Sequence, residues 1–201
     1  ETGLHVQGGE RAAWNDLYID NCDTGAKLHG DEDASDSGDG VEFQYNRWDG
    51  GLVTNCTTLG VELKYVDKKC WHNALDDVGF EDNTGIALRI FGARWTDMDG
   101  CWWVGNTTDL EVMDGTDGTA TDENTVVGIR VKNGTISAAM SFTGQCQDVL
   151  FDEVEFASGT YTLTTVGNSV IARDCTMGAT VVLAGNDATQ FLTCRTSVGD
   201  F

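Results

Sequence analysis

The sequence predicts an all-β solenoid, a stack of coils built from short strands, and three observations lead there. First, a short unit recurs along the chain. Leu17-Tyr18-Ile19-Asp20-Asn21-Cys22-Asp23-Thr24-Gly25 matches Val170-Ile171-Ala172-Arg173-Asp174-Cys175-Thr176-Met177-Gly178, and Leu52–Thr57 and Gln190–Thr196 end the same way. Second, each copy alternates apolar or small residues with polar ones, then reaches a small polar residue at a turn. These turn residues fall at 21, 55, 82, near 106, and at 133, 153, 174 and 193, with spacings of 19 to 34 residues. Third, no apolar stripe of helical period runs longer than about two turns, so helices are minor. A repeat of this length without a crossover helix is the signature of stacked β coils.

The elements follow in order. The first strand of each unit is the alternating run before the turn, as in Leu17–Asp20 and Leu52–Thr54, with weaker copies at Val78–Asn83, Ile129–Gly134 and Val149–Val154. The second strand follows the turn, in the runs Ala26–Leu28, Val61–Val66, Ile86–Ile90, Leu110–Val112, Ile136–Met140, Tyr161–Thr164 and Val181–Leu183. Residues 1–13 read as a lead-in or partial cap, with Glu1-Thr2-Gly3 resembling the scar of a secretion vector, and 14–201 as one domain. An antiparallel jelly roll also uses many short strands and glycine-rich turns. The lack of Asn-Gly hairpins between most strands disfavours it.

Composition narrows the function classes. The chain of 201 residues carries 33 acidic and 12 basic side chains, a net charge of −21, with 25 glycines and no proline. That charge argues against nucleic acid and anionic membrane surfaces as partners, because both repel it. No apolar run approaches the roughly 20 residues that span a bilayer. The acid is mostly aspartate, 23 against 10 glutamates, and lysines number five. A dense carboxylate shell suits concentrated salt, where the Debye length shrinks to ~3 Å at 1 M, so a saline, halophilic setting is expected.

The repeat resembles the right-handed parallel β-helix family, which includes pectate lyases, polygalacturonases and viral tailspikes. The resemblance covers residues 14–201, rests on periodicity, and implies about eight coils. In that family asparagines stack as a ladder inside one turn, and Asn21, Asn55, Asp82, Asn133 and Asp174 match the position. Glu153 and Thr193 depart from it. On this alignment Asn55 and Asn133 point inward, which leaves Asn106 as the exposed member of three glycosylation sequons, Asn55-Cys56-Thr57, Asn106-Thr107-Thr108 and Asn133-Gly134-Thr135.

Cys22, Cys56, Cys175 and Cys194 share one slot after the turn and read as a column of small buried thiols. Cys70, Cys101 and Cys146 lie outside it, and Cys70–Cys101 is the expected disulfide. Chemistry is expected on the longest excursions, 31–40, 67–77, 92–106 and 114–124. The first nearly reads as a calcium loop, with oxygen ligands Asp31, Asp33, Ser35, Asp39 and Glu42, although Asp36 stands where glycine is wanted. Trp48, Trp71, Trp95, Trp102 and Trp103 gather in or near the others, as they do where sugar C–H faces pack on indoles. Core or subunit packing is the competing reading, and alternation buries one of Trp102 and Trp103.

Glycoside hydrolysis needs two carboxyls ~5–9.5 Å apart. Asp97 and Asp99, on one strand, would share a face, and they are the candidate pair if the protein is an enzyme. The polygalacturonase pattern wants Asp-Asp, then Gly-His-Gly and Arg-x-Lys, and Asp76-Asp77 has no such successor. Five lysines and seven arginines are few for a cationic pectate-lyase groove. The resulting expectation is a non-catalytic attachment domain at a cell or virion surface, extracellular, binding a glycan or protein receptor. The alternatives are a polysaccharide lyase or glycosidase, and a structural stalk. A homotrimer is expected because no capping helix precedes Phe201 and solenoid ends need cover.

Overall fold

Alternation of apolar and polar side chains drives one strand face inward and the other out. In the computed structural model, which describes residues 1–30, 42–65, 70–113, 126–144, 146–157, 159–165, 170–178, 181–185 and 189–196, that alternation becomes an all-β, solenoid-like architecture. Among the described residues there is no helix, and every strand pairing is parallel. The chain returns repeatedly to an eight-stranded sheet whose strands appear in sequence order: Thr2–Gln7, Thr24–His29, Leu59–Lys64, Ile86–Phe91, Thr108–Met113, Ala139–Gly144, Gly159–Thr165 and Val181–Gly185. Residues 2–7, at the start of the expected lead-in, thus form the first strand of this sheet.

In-register parallel pairing stacks like on like. Leu4, Ala26, Val61, Leu88, Leu110 and Met140 form one inward column, and Val6, Leu28, Leu63, Ile90, Val112 and Phe142 form a second. From Ala26 and Leu28 onward all of these are buried. A second, 14-stranded sheet contributes Val53, Phe80 and Trp103 in register, with the Phe80 and Trp103 rings stacked at 5.4 Å. A third face is narrow, carrying Phe43 and Cys70 inward on one ladder and Val126 and Cys146 on another.

The corners are made by residues with positive φ. The non-glycine ones include Arg11, Asp16, Asn21, Tyr45, Asn55, His72, Asp77, Asp82, Trp95, Asn133, Asp148, Glu153, Asp174 and Thr193, each exposed. This left-handed conformation turns the corner side chain outward and the next residue inward. The turn asparagines therefore face solvent, and the expected ladder of Asn21, Asn55, Asp82, Asn133 and Asp174 is corrected. The buried amides sit one residue on. Asn83 Nδ2 donates to Asn106 Oδ1 at 2.8 Å, and Asn83 Oδ1 accepts the Cys56 N–H at 2.9 Å. At another corner Asn46 Nδ2 donates to Asn73 Oδ1 at 3.2 Å.

Register also splits the single turn column read from the sequence into two. Early coils have paired corners five residues apart: Asp16 and Asn21, Gly50 and Asn55, Asp77 and Asp82, Gly100 and Gly105. Asp99 pairs with Lys132 and Trp102 with Thr135, which aligns Asn133 with Gly100 rather than with Gly105. Among the described residues of the later coils, only this first corner is seen, at Asn133, Glu153, Asp174 and Thr193. The seam is a bulge. Thr108 pairs with Ala139 and Leu110 with Met140, leaving Asp109 extra between them. Its fully buried carboxyl accepts from Asn106 Nδ2 at 2.9 Å and from the backbone N–H groups of Ser137 at 2.7 Å and Ala138 at 2.6 Å. Burial raises its pKa against the pull of those three donors.

Candidate binding groove

Outward positions form columns as the core does. Tyr18, Leu52, Gly79, Trp102, Thr135, Glu155, Thr176 and Arg195 follow one another, one per rung. At ~4.8 Å per rung this column runs roughly 34 Å. Gly79 matters because the Trp102 indole lies across it. A Cβ there would fall 2.8 Å from the indole Nε1 and nearer still to two ring carbons. Trp102 Nε1 donates to Glu81 Oε1 at 3.0 Å, which fixes the ring on the sheet. The side chain is half-buried, so part of the indole stays open to solvent.

Continuing from Trp102, the strands on either side of the Asn133, Glu153 and Asp174 corners wall an open groove of about 570 Å³. Glu153, Glu155, Asp174, Thr135, Thr176 and Arg195 line it, with Gly134 and Val154 at its base. Carboxylates, hydroxyls and one guanidinium supply both acceptors and donors along its length.

Beside the groove lies an acidic strip. Asp49, Asp76 and Asp99 stand in register on successive rungs. Arg47 bridges two of them, 2.9 Å from Asp76 and 3.3 Å from Asp49. Burial, opposed by Arg47 but reinforced by Asp49, Asp99 and Asp77, raises the Asp76 pKa. Asp97 and Asp99 project from one strand as expected. Asp97 faces Arg130 at 3.9 Å, and Asp99 accepts from Asn133 Nδ2 at 2.7 Å. Neither lines the groove.

The five tryptophans separate. Trp48 and Trp103 are core residues, 1% and 0% exposed, and are corrected as ligand contacts. Trp48 Nε1 donates to its own turn at Gly50 O, 2.9 Å away. Trp71 and Trp95 belong to the third corner, edge to face at 5.3 Å, with the Arg94 guanidinium 5.3 Å above Trp71. There Tyr45, His72 and Trp95 stack in parallel, with centroids 4.9 and 4.6 Å apart. Only Trp102 of the five stands in the groove's own column. Nothing local in the sequence marks Tyr45 and His72 as stacked corners.

Asn106 is 7% exposed and belongs to the amide ladder, so it is not a surface glycosylation site. Cys70 and Cys101 are free thiols at different corners, and all seven cysteines are free. Burial pushes both thiols up, Cys101 to about 12. Asp31, Asp33, Ser35 and Asp39 lie outside the described residues, and Glu42 is half-buried. Among the described residues no three His, Cys, Asp or Glu side chains gather to hold a metal ion. The C-terminal Phe201 also lies outside them.

No family model matches the chain, and no curated protein matches it. Among solved structures it is similar to one described as a glycoside hydrolase, at 9% identity and a TM-score of 0.47, covering 96% of this chain. The chain spans 38% of the length of that protein. It is also similar to QnrB1, described as a plasmid-mediated fluoroquinolone resistance protein, at 10% identity and a TM-score of 0.30, covering 97% of this chain and 92% of that one. Likeness at this level says nothing of activity.

Proposed function

We infer that this chain is a right-handed parallel β-helix of about eight coils that recognises a glycan without cleaving it. The observation that carries the reading is the Trp102 indole, laid across Gly79, fixed by Glu81, and paired on the next rung with Thr135 of the groove. An indole fixed on a sheet offers apolar surface to a sugar ring at little entropic cost, while Glu155, Asp174, Thr176 and Arg195 bond hydroxyls. With three carboxylates to one guanidinium, the groove favours neutral or amino-bearing oligosaccharides over acidic ones. Such a module serves as an attachment domain at a cell or virion surface, in a saline setting, and as a homotrimer gains avidity.

Titration with defined neutral and chitosan-type oligosaccharides tests this, read by tryptophan fluorescence and calorimetry. Trp102→Ala should weaken binding about tenfold, worth ~1.4 kcal/mol, at a temperature where melting curves show both proteins folded. Equal binding by wild type and Trp102→Ala removes the reading. Release of new reducing ends would favour the hydrolase alternative. A mass near the 21.7 kDa of one chain at all concentrations would remove the trimer.

A further inference from the structure

The three Asn-x-Thr sequons sit in two different environments, and the difference is chemical. Asn55 and Asn133 occupy positive-φ corners, at φ 53° and 50°, with exposed side chains. Among the described residues each amide nitrogen makes one hydrogen bond: Asn55 Nδ2 to Asp20 Oδ1 at 2.9 Å, and Asn133 Nδ2 to Asp99 Oδ1 at 2.7 Å. An amide NH₂ has two hydrogens, so each retains one that faces solvent. Asn106 is the opposite case. Its Nδ2 donates to both Phe80 O and Asp109 Oδ1, each at 2.9 Å, and its Oδ1 accepts from Asn83. Both hydrogens are used, and the group lies inside the solenoid wall.

We propose that Asn55 and Asn133 are competent acceptors for N-linked oligosaccharide and that Asn106 is not. In the transfer, Nδ2 forms a bond to C1 of an oligosaccharide carried on a lipid diphosphate. The C1–O bond to the diphosphate breaks, the lipid diphosphate leaves, and one amide proton passes to a base of the transferase. The substituted nitrogen of Asn55 or Asn133 keeps one N–H, enough to maintain its bond to Asp20 or Asp99. At Asn106 the same substitution removes a donor from Phe80 or Asp109 and forces a sugar into the wall. A chain modified there cannot close the rung. The inference stands apart from the glycan-recognition reading, although a glycan on Asn133 would cover the head of that groove.

The test is expression of the full chain behind a secretion leader in cultured animal cells, then glycopeptide mass spectrometry with N-glycosidase release in ¹⁸O-water. Occupancy is expected at Asn55 and Asn133, with an unmodified Asn106 peptide. Asn55→Gln and Asn133→Gln should each remove one glycan from the intact mass. Thr108→Ala, which erases the third sequon and leaves the Asn106 side chain in place, should remove none. Asn106 occupied on secreted protein that elutes as a single species overturns the proposal, as do Asn55 and Asn133 both bare.

Discussion

The early coils, through Met113, and the later ones, from Val126, solve the same packing problem at different lengths. The early coils turn twice across the long sheet, at corners such as Asp77 and Asp82, and the second corner brings Cys22, Cys56, Asn83 and Asn106 inward. Among the described residues, the coil after Asn133 omits that corner and runs from Thr135–Ile136 directly toward Ala139–Gly144. The later coils' inward residues after the remaining corner are Gly134, Val154, Cys175 and Cys194. An extra corner exposes backbone groups to the interior, and these need side-chain partners. Two long coils meet the need with the Asn83 and Asn106 amides, where the other two carry Cys22 and Cys56; the coil from Thr135 to Ala139 avoids it. Asp109 is where one solution gives way to the other.

Removing that carboxyl should have the largest effect. Asp109→Ala strands the Ser137 and Ala138 N–H groups and one Asn106 hydrogen, and should cost about 3 kcal/mol or more. Urea denaturation reads the total, and hydrogen exchange should quicken first at Ser137 and Ala138. A loss under about 1 kcal/mol would mean that the seam is held by the core alone.

Next in size is the loss of a second-corner amide, set against a gain at the first corner that both coil types share. Asn83→Val leaves the Cys56 N–H without its acceptor, and Val154→Asn buries an amide at the position that Val78 and Cys101 fill in the long coils. Each should cost about 2 kcal/mol in thermal or chemical unfolding. If Asn83→Val were neutral, the contrast between coil types would lose its physical basis. Gly100→Ala comes third. Its φ of 67° and the Asp77 carboxylate over it disfavour any Cβ, at a cost of about 1–2 kcal/mol. Asn133→Gly, at the equivalent corner one rung on, should change melting by little.

The smallest effect lies on the later coils' surface. Arg173 Nε donates to Asp152 Oδ1 at 2.9 Å, and this pairing lowers the Asp152 pKa. A lowered folded pKa means that the contribution is fully present above the ordinary carboxylate range near pH 4 and is lost as pH falls from there through the lowered folded value. Because the pair is exposed to solvent, Arg173→Ala should lower the melting temperature only slightly at pH 7, and by less at pH 2. Melting curves at both pH values check the sign.

Much of this architecture is legible because alternation is local. The second-strand runs Ala26–Leu28 and Ile86–Ile90 fall inside observed strands, and Val61–Val66 overlaps Leu59–Lys64, with residue 66 outside the described residues. Ile136–Met140 is offset, because the missing corner shifts the later strand to Ala139. Register between rungs is not written in any one segment, so the sequence alone aligns Asn133 with Asn55 instead of with Gly100. The direction of the corner side chains is likewise hidden. A left-handed residue reverses the inward–outward parity, and this misassigns Asn55, Asn106 and Asn133 together. Of the binding candidates, Trp102 is visible as half of an aromatic pair. Its seat depends on Gly79, one rung earlier and 23 positions back in the chain.

A pull on the C-terminal end loads this molecule one rung at a time, since each later strand is held chiefly by its neighbour. Coming from that end, Asp109 is the first buried carboxyl among the described residues that ties one rung to the next, gripping Asn106 on one side and Ser137 and Ala138 on the other. Beyond it the amide clasps of Asn106, Asn83 and Cys56 continue the grip. In mechanical terms the chain is a frayable end joined to a stiffer shaft, and peeling should arrest at the bulge.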